Sequence, residues 1–204
     1  IEAAVENMEV KKQIFQRLGE STRGDAVLAT NTSALSVSEI ARGVSHPERV
    51  IGIHYFNPVH RMQLVEIVLG EQTSSAVTEQ VLQFVQGIGK LPVVVKDSPG
   101  FLVNRVLMPY LIEAVSLFES GASIWEIDEA MRDFGMPMGP LRLIDEVGVD
   151  VALHVATHMS DVFRDRMTIP QTLLALMERG YLGGKTGLGF YIHRAQGDLK
   201  VNRR

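Results

Sequence analysis

The sequence predicts an α/β layer followed by an all-α unit, dividing near residue 97. Three observations carry this. The first half alternates short apolar runs with helix-period segments. From Phe101 onward the signals are almost only helical. Between them, Lys96-Asp97-Ser98-Pro99-Gly100 is a run of turn formers. The expected domains are therefore 1–97 and 98–204.

Taken in order, residues 4–18 form an amphipathic helix, with Ala4, Met8, Phe15 and Leu18 on one stripe and Glu9, Lys12 and Gln16 facing away. Gly19 and Gly24 bracket its exit. Ala26-Val27-Leu28-Ala29 suits a buried strand, followed by a polar turn at Thr30-Asn31-Thr32-Ser33. Ser36 and Glu39 have capping-box spacing for a short helix to Ala41. Residues 50–56 and 62–69 read as strands, and Thr73-Ser74-Ser75 offers caps for a helix with Val77, Val81, Phe84, Val85 and Ile88 on one face. Residues 91–95 complete the strands of a largely parallel sheet. In the second half, residues 101–119 are apolar nearly all round, as in the central helix of a bundle, with a kink expected at Pro109. Ser123 and Glu126 form a second capping box. A turn at residues 135–140 precedes helices over 141–158 and 171–179, and Gly180 fits the residue after a helix end.

Composition narrows the function classes. The 204 residues are 46% hydrophobic and 22% charged, an ordinary globular balance that excludes disorder and fibrous repeats. The net charge of −4 leans away from nucleic-acid partners. The absence of cysteine removes disulfides, thiolate metal sites and a cysteine nucleophile. No apolar run approaches the ~18–20 residues of a membrane span, and no signal-peptide pattern opens the chain. Starting at Ile1 inside a periodic segment, the sequence has the character of a piece of something longer.

Several motifs invite functional readings that weaken on inspection. Gly87-Ile88-Gly89 and Gly187-Leu188-Gly189 do not complete a G-x-G-x-x-G loop, and Gly183-Gly184-Lys185-Thr186 lacks the upstream glycine of a phosphate loop, so a tight turn is the better reading. His154 and His158 share a helix face, but Val155 stands where a zinc-binding H-E-x-x-H needs Glu; no metal site is expected. His54 is more telling, because it lies at the end of a buried strand, where reacting groups collect in α/β sheets. It is either a satisfied core residue or a catalytic base. Glu66 shares a strand face with Met62, Leu64 and Val68, where a lone carboxylate is costly unless paired. Its partner is His54 on a neighbouring strand, or a base such as Arg61. Asn104, in the apolar helix, either caps a loop or faces a ligand. Ser33 has the same ambiguity, with an ST-turn as its plainer role.

Together these segments resemble the L-3-hydroxyacyl-CoA dehydrogenases of fatty-acid β-oxidation. The matching strings are residues 1–7, Thr30-Asn31-Thr32-Ser33, Gly52-Ile53-His54-Tyr55-Phe56-Asn57-Pro58, residues 96–105, Pro137-Met138-Gly139-Pro140 and residues 184–191. They occur in the family's order along nearly the whole chain. Residues 134–141 look most like the multifunctional proteins that fuse this module to an enoyl-CoA hydratase.

The resemblance implies the C-terminal portion of a Rossmann-type NAD-binding domain followed by a helical domain like that of 6-phosphogluconate dehydrogenase. It implies His54 as catalytic base, Glu66 as its partner, and Ser33 and Asn104 as residues that hold the reacting oxygen. Glu6, Lys11, Asn31, Ser33 and Asn57 match cofactor-contacting positions. The implied ligands are NAD and a 3-hydroxyacyl-CoA. The implied assembly is a homodimer through the helical half or fusion to the hydratase, in the cytoplasm of a bacterium or in a eukaryotic mitochondrion or peroxisome. The family's glycine-rich loop is expected upstream of Ile1, which would leave a strand edge and an apolar face uncovered. Two other readings accompany this one: a non-catalytic dimerisation module, and a related 3-hydroxy-acid dehydrogenase.

Overall fold

The computed structural model describes residues 1–193 and 200–202, apart from the side chain of Asp165. The chain forms two compact units, Ile1–Val103 and Asn104–Arg204.

The first unit runs α1 (Met8–Ser21), β1 (Leu28–Thr30), α2 (Val37–Ala41), β2 (Val50–Tyr55), β3 (Leu64–Leu69), α3 (Ser75–Gly87) and β4 (Leu91–Lys96). Its sheet has the order β1-β2-β3-β4. The outer pairs β1–β2 and β3–β4 are parallel, as expected of strands joined through helices, but β2 and β3 are antiparallel. The short link over 56–63 has no crossover helix, so β3 turns back beside β2. This reversal sets His54 directly opposite Glu66.

Local chemistry accounts for the element boundaries. α1 starts at Met8 and not at residue 4, because Asn7 caps it by accepting from Val10 N, and Glu2 is extended, bridging to Thr30 beside β1. Ser36 caps α2 by accepting from Glu39 N, and the next amides of the first turn go to Asp97 instead of to a reciprocal Glu39 side chain. The Asp97 carboxylate accepts from Ser36 Oγ, Val37 N and Ser38 N at 2.8–3.1 Å, and a carboxylate is well placed at a helix start. Ser74 caps α3, which buries Val77, Val81 and Val85. Phe84 and Ile88, expected on that same face, are exposed together with Leu91 and Val94 of the edge strand β4. Ile1 and Val5, either side of the Glu2 bridge to β1, are exposed as well, whereas all of β1 is buried.

The second unit contains α4 (Val103–Glu119), α5 (Ile124–Phe134), α6 (Pro140–Val147), α7 (Val149–Phe163), α8 (Gln171–Glu178) and a small antiparallel strand pair, β5 (Tyr191–Ile192) with β6 (Lys200–Val201). The Ser123–Glu126 capping box is present, and Pro109 lies inside α4. The single helix expected over 141–158 is two helices. Gly148, at φ 104, breaks it in a conformation that other residues rarely adopt.

Two buried carboxylates organise this unit. Asp128 accepts from Leu141 N and Arg142 N at 2.8 and 3.0 Å, capping α6, and from the Tyr191 hydroxyl at 2.7 Å. Asp145 accepts from Phe190 N, Tyr191 N and His193 Nε2 at 2.8–2.9 Å. A Cβ at Gly139 would lie 2.2 Å from Asp128 Cγ, and one at Gly189 would lie 2.1 Å from Asp145 Oδ1. The glycines of both motifs therefore make room for these carboxylates, and the 183–191 segment is a structural turn.

Candidate active site

β1 and β2 are parallel, so their carboxyl ends open on the same edge of the sheet. That edge is where open α/β sheets bind ligands. It gathers Asn31 and Ser33 after β1, with His54 at the end of β2 and Asn57 just beyond. The Asn31 side chain ties the two strand ends together by accepting from Tyr55 N at 3.2 Å.

At the centre, His54 Nδ1 lies 2.7 Å from Glu66 Oε2. His54 is 5% exposed and Glu66 is fully buried. The other carboxylate oxygen, Oε1, accepts from Leu102 N and Val103 N, both at 2.9 Å. Burial is the largest influence on Glu66 and pushes its carboxyl up. The hydrogen bonds from His54, Val103 and Leu102, with the attraction of the His54 charge, outweigh it and hold the carboxyl below the usual range. An ionised carboxylate on Nδ1 keeps the proton on that nitrogen, and Nε2 is left to exchange a proton with a ligand. Arg61 is not the partner of Glu66; the antiparallel register chose His54.

Glu6 and Lys11 are turned inward. Glu6 Oε1 accepts from Thr32 Oγ1, Ser33 N and Ala34 N at 2.6–3.3 Å, pinning the turn that carries Ser33. Lys11 is fully buried, with Nζ 2.8 Å from Glu2 Oε1 and 3.7 Å from Glu6 Oε2. Glu2 also accepts from Thr30 Oγ1 at 2.7 Å and from Ala4 N. Asn57 and Ser33 are exposed, and Asn104 lies in the first turn of α4, at the start of the second unit.

Sequence reasoning missed the rings and amides around the pair. Phe56 and Phe101 contact His54 with ring centroids 4.5 and 5.9 Å away. The only sequence signal for the amides of Leu102 and Val103 was the Pro99-Gly100 turn before them.

The residues present fit one end of a dinucleotide. Side-chain amides and hydroxyls beside an imidazole at a strand edge suit a nicotinamide and a reacting alcohol. The two Gly-x-Gly pairs do not supply a phosphate cradle: one follows the end of α3, and the other is packed on Asp145. Among the described residues, no group of three or more metal-ligating side chains converges.

A partly parallel α/β unit with a carboxylate-backed histidine at its strand ends, followed by an all-α unit, has the build of a two-domain, dinucleotide-linked oxidoreductase. Residues 1–98 match the model of the 3-hydroxyacyl-CoA dehydrogenase NAD-binding domain, and residues 100–193 match that of the 3-hydroxyacyl-CoA dehydrogenase C-terminal domain. A 3-hydroxybutyryl-CoA dehydrogenase of Clostridioides difficile is 47% identical over 194 residues, covering 94% of this chain and 69% of that protein. A fatty acid oxidation complex subunit alpha of a Psychrobacter species is 44% identical over 193 residues, covering 94% of this chain but only 27% of that longer protein. The crystal structure of FadB2 from M. tuberculosis superposes with a TM-score of 0.91 at 40% identity, over 94% of this chain and 69% of that one. The chain belongs to the 3-hydroxyacyl-CoA dehydrogenase family.

Proposed function

We propose that this chain carries the reacting groups of an NAD-dependent dehydrogenase that oxidises the 3-hydroxyl of an L-3-hydroxyacyl-CoA to a ketone. The observation that carries the reading is the buried His54–Glu66 pair at the carboxyl edge of the sheet. His54 Nε2 accepts the hydroxyl proton, and the Glu66 carboxylate stabilises the imidazolium that forms. Bound NAD supplies the acceptor for the hydride from C3. In the reverse direction the imidazolium returns its proton to the oxygen. Ser33 and Asn104 hold that oxygen within reach of Nε2. Asn31 and Asn57 line the nicotinamide side, while Glu6 keeps the Ser33 turn in shape beside its expected ribose contact, and Lys11, buried on Glu2, supports Glu6 from within and not by touching the ribose. The test is NAD-dependent oxidation of 3-hydroxyacyl-CoA by the protein that carries this chain. Loss of turnover in His54→Ala supports the reading, and unchanged turnover removes it.

The helical unit pairs two copies, or joins a hydratase module, as the resemblance to the multifunctional proteins implies. Exposed Val106 on α4 and Trp125 and Phe134 on α5 support an association surface. Light scattering tests it, with a monomer counting against the homodimer. The bacterial relatives support a cytoplasmic setting. Among the described residues, no helix is long and apolar enough to cross a membrane.

A further inference from the structure

The segment from Ser98 to Val103 does more than join two units. Phe101 N donates to Ser98 O at 2.8 Å, closing a turn with Pro99 and Gly100 at its centre. Gly100 takes φ 72, as the third residue of a type II turn requires. Phe101 then takes φ 48. A glycine adopts that conformation freely, but for a bulky aromatic residue it is an outlier, and such strain persists only where the surroundings over-determine it. Here they do. The ring is 2% exposed and lies in a core cluster with Leu28, Val37 and Val68.

The consequence falls on both members of the reacting pair. The next two amides, Leu102 N and Val103 N, converge on a single oxygen, Glu66 Oε1. The Phe101 ring meets the His54 ring at 5.9 Å and a 60° tilt. We propose that Phe101 is the positioning residue of the His54–Glu66 pair: its left-handed backbone aims two amides at the carboxylate, and its ring seats the imidazole. This goes beyond the dehydrogenase reading but rests on it for its catalytic meaning. It explains why a glycine, the strain-free choice, does not occupy position 101.

The proposal is tested with two variants. Phe101→Gly relieves the backbone and deletes the ring; Phe101→Leu keeps bulk and strain but loses the aromatic face. The first readout is histidine 15N NMR of this chain, in which wild type should show His54 protonated on Nδ1 alone. The second is amide exchange at Leu102 and Val103, with the amides of β2 and β3 as the control for folding. In Phe101→Gly, exchange at those two amides should rise about tenfold or more, and a second His54 tautomer should appear. In Phe101→Leu the two amides should stay protected while His54 becomes mixed. In the protein that carries this chain, kcat of the Gly variant should fall about tenfold or more, with KM within about twofold. If Phe101→Gly does not fold, the tautomer in Phe101→Leu decides alone. A single Nδ1–H tautomer in the Leu variant, or unchanged exchange at Leu102 and Val103 in a folded Gly variant, overturns the proposal. The spectroscopic changes in a protein without dehydrogenase turnover would uphold the positioning role and remove the catalytic reading.

Discussion

His54 and Glu66 are direct cross-strand neighbours in the antiparallel register of β2 and β3, and their side chains meet at 2.7 Å in the interior of the α/β unit. The imidazole therefore sits on a rigid sheet and not on a loop. Its basic nitrogen is chosen by the carboxylate behind it.

Removing the charge while keeping the shape tests that relationship. Glu66→Gln should lower kcat by about 10²–10⁴-fold, because the imidazolium loses its counter-charge and the tautomer its anchor. KM for NAD should change little. Steady-state kinetics decide this, and a variant with wild-type kcat would refute the pairing.

Lys11 is the second buried charge with a specific partner. Its ammonium is enclosed by Glu2, with Glu6 nearby. Lys11→Met would leave the Glu2 carboxylate buried without its counter-charge, a change that costs about 3–5 kcal/mol. Urea denaturation measures it. The double variant Lys11→Met with Glu2→Gln should recover part of the loss, since removing both charges is milder than stranding one.

The glycines beside Asp128 and Asp145 should be intolerant of any side chain. Gly139→Ala and Gly189→Ala each drive a Cβ to within 2.2 Å of a buried carboxylate. Relaxation around such overpacking costs about 1–3 kcal/mol, and more where it breaks the hydrogen bonds to the carboxylate. Calorimetry should show a lowered Tm. A Gly189→Ala protein with unaltered Tm would count against the structural role of the 183–191 motif.

The pH dependence of stability has a definite sign. The Glu2 and Glu66 carboxyls are held below their usual value of 4.5: burial raises each most strongly, but hydrogen bonds and charge partners outweigh it. The unfolded chain then binds more protons than the folded one, so stability rises with pH through that range. The contribution is complete above the unfolded pKa of 4.5 and disappears as pH falls through the lowered folded values. Asp145 acts the other way. Burial, its largest influence, lifts it above 3.8 despite the bonds from His193, Tyr191 and Phe190, so its share declines as pH rises through the raised value. Because the Glu2 and Glu66 contributions are complete above 4.5, urea midpoints should fall as pH is lowered below that value, and Glu66→Gln should flatten that fall. A midpoint that does not move in either protein would refute the assignment.

Much of this was legible in the chain alone. Alternation of apolar runs with helical periods marked the α/β unit, and the all-helical pattern after residue 97 marked the second. Side-chain caps such as Ser74 and Ser123 act on amides three residues away, so they are written locally. His54 and Glu66 stood out because each is a polar residue in an apolar strand, and burial makes such residues expensive unless they are paired.

What the sequence could not decide was which groups meet across long separations. The antiparallel turn between β2 and β3 selected His54 over Arg61 for Glu66. Asp97 reaches back about sixty residues to cap α2, and Asp145 clasps a segment more than forty residues later. Gly189, part of a motif that resembled a phosphate loop, proved to be space left for the buried Asp145 carboxylate. Periodicity and capping depend on neighbours within a turn or two, so sequence by itself determined the elements and the candidate groups. Partnership between buried charges depends on register and chain reversal, which only the packed tertiary structure decided.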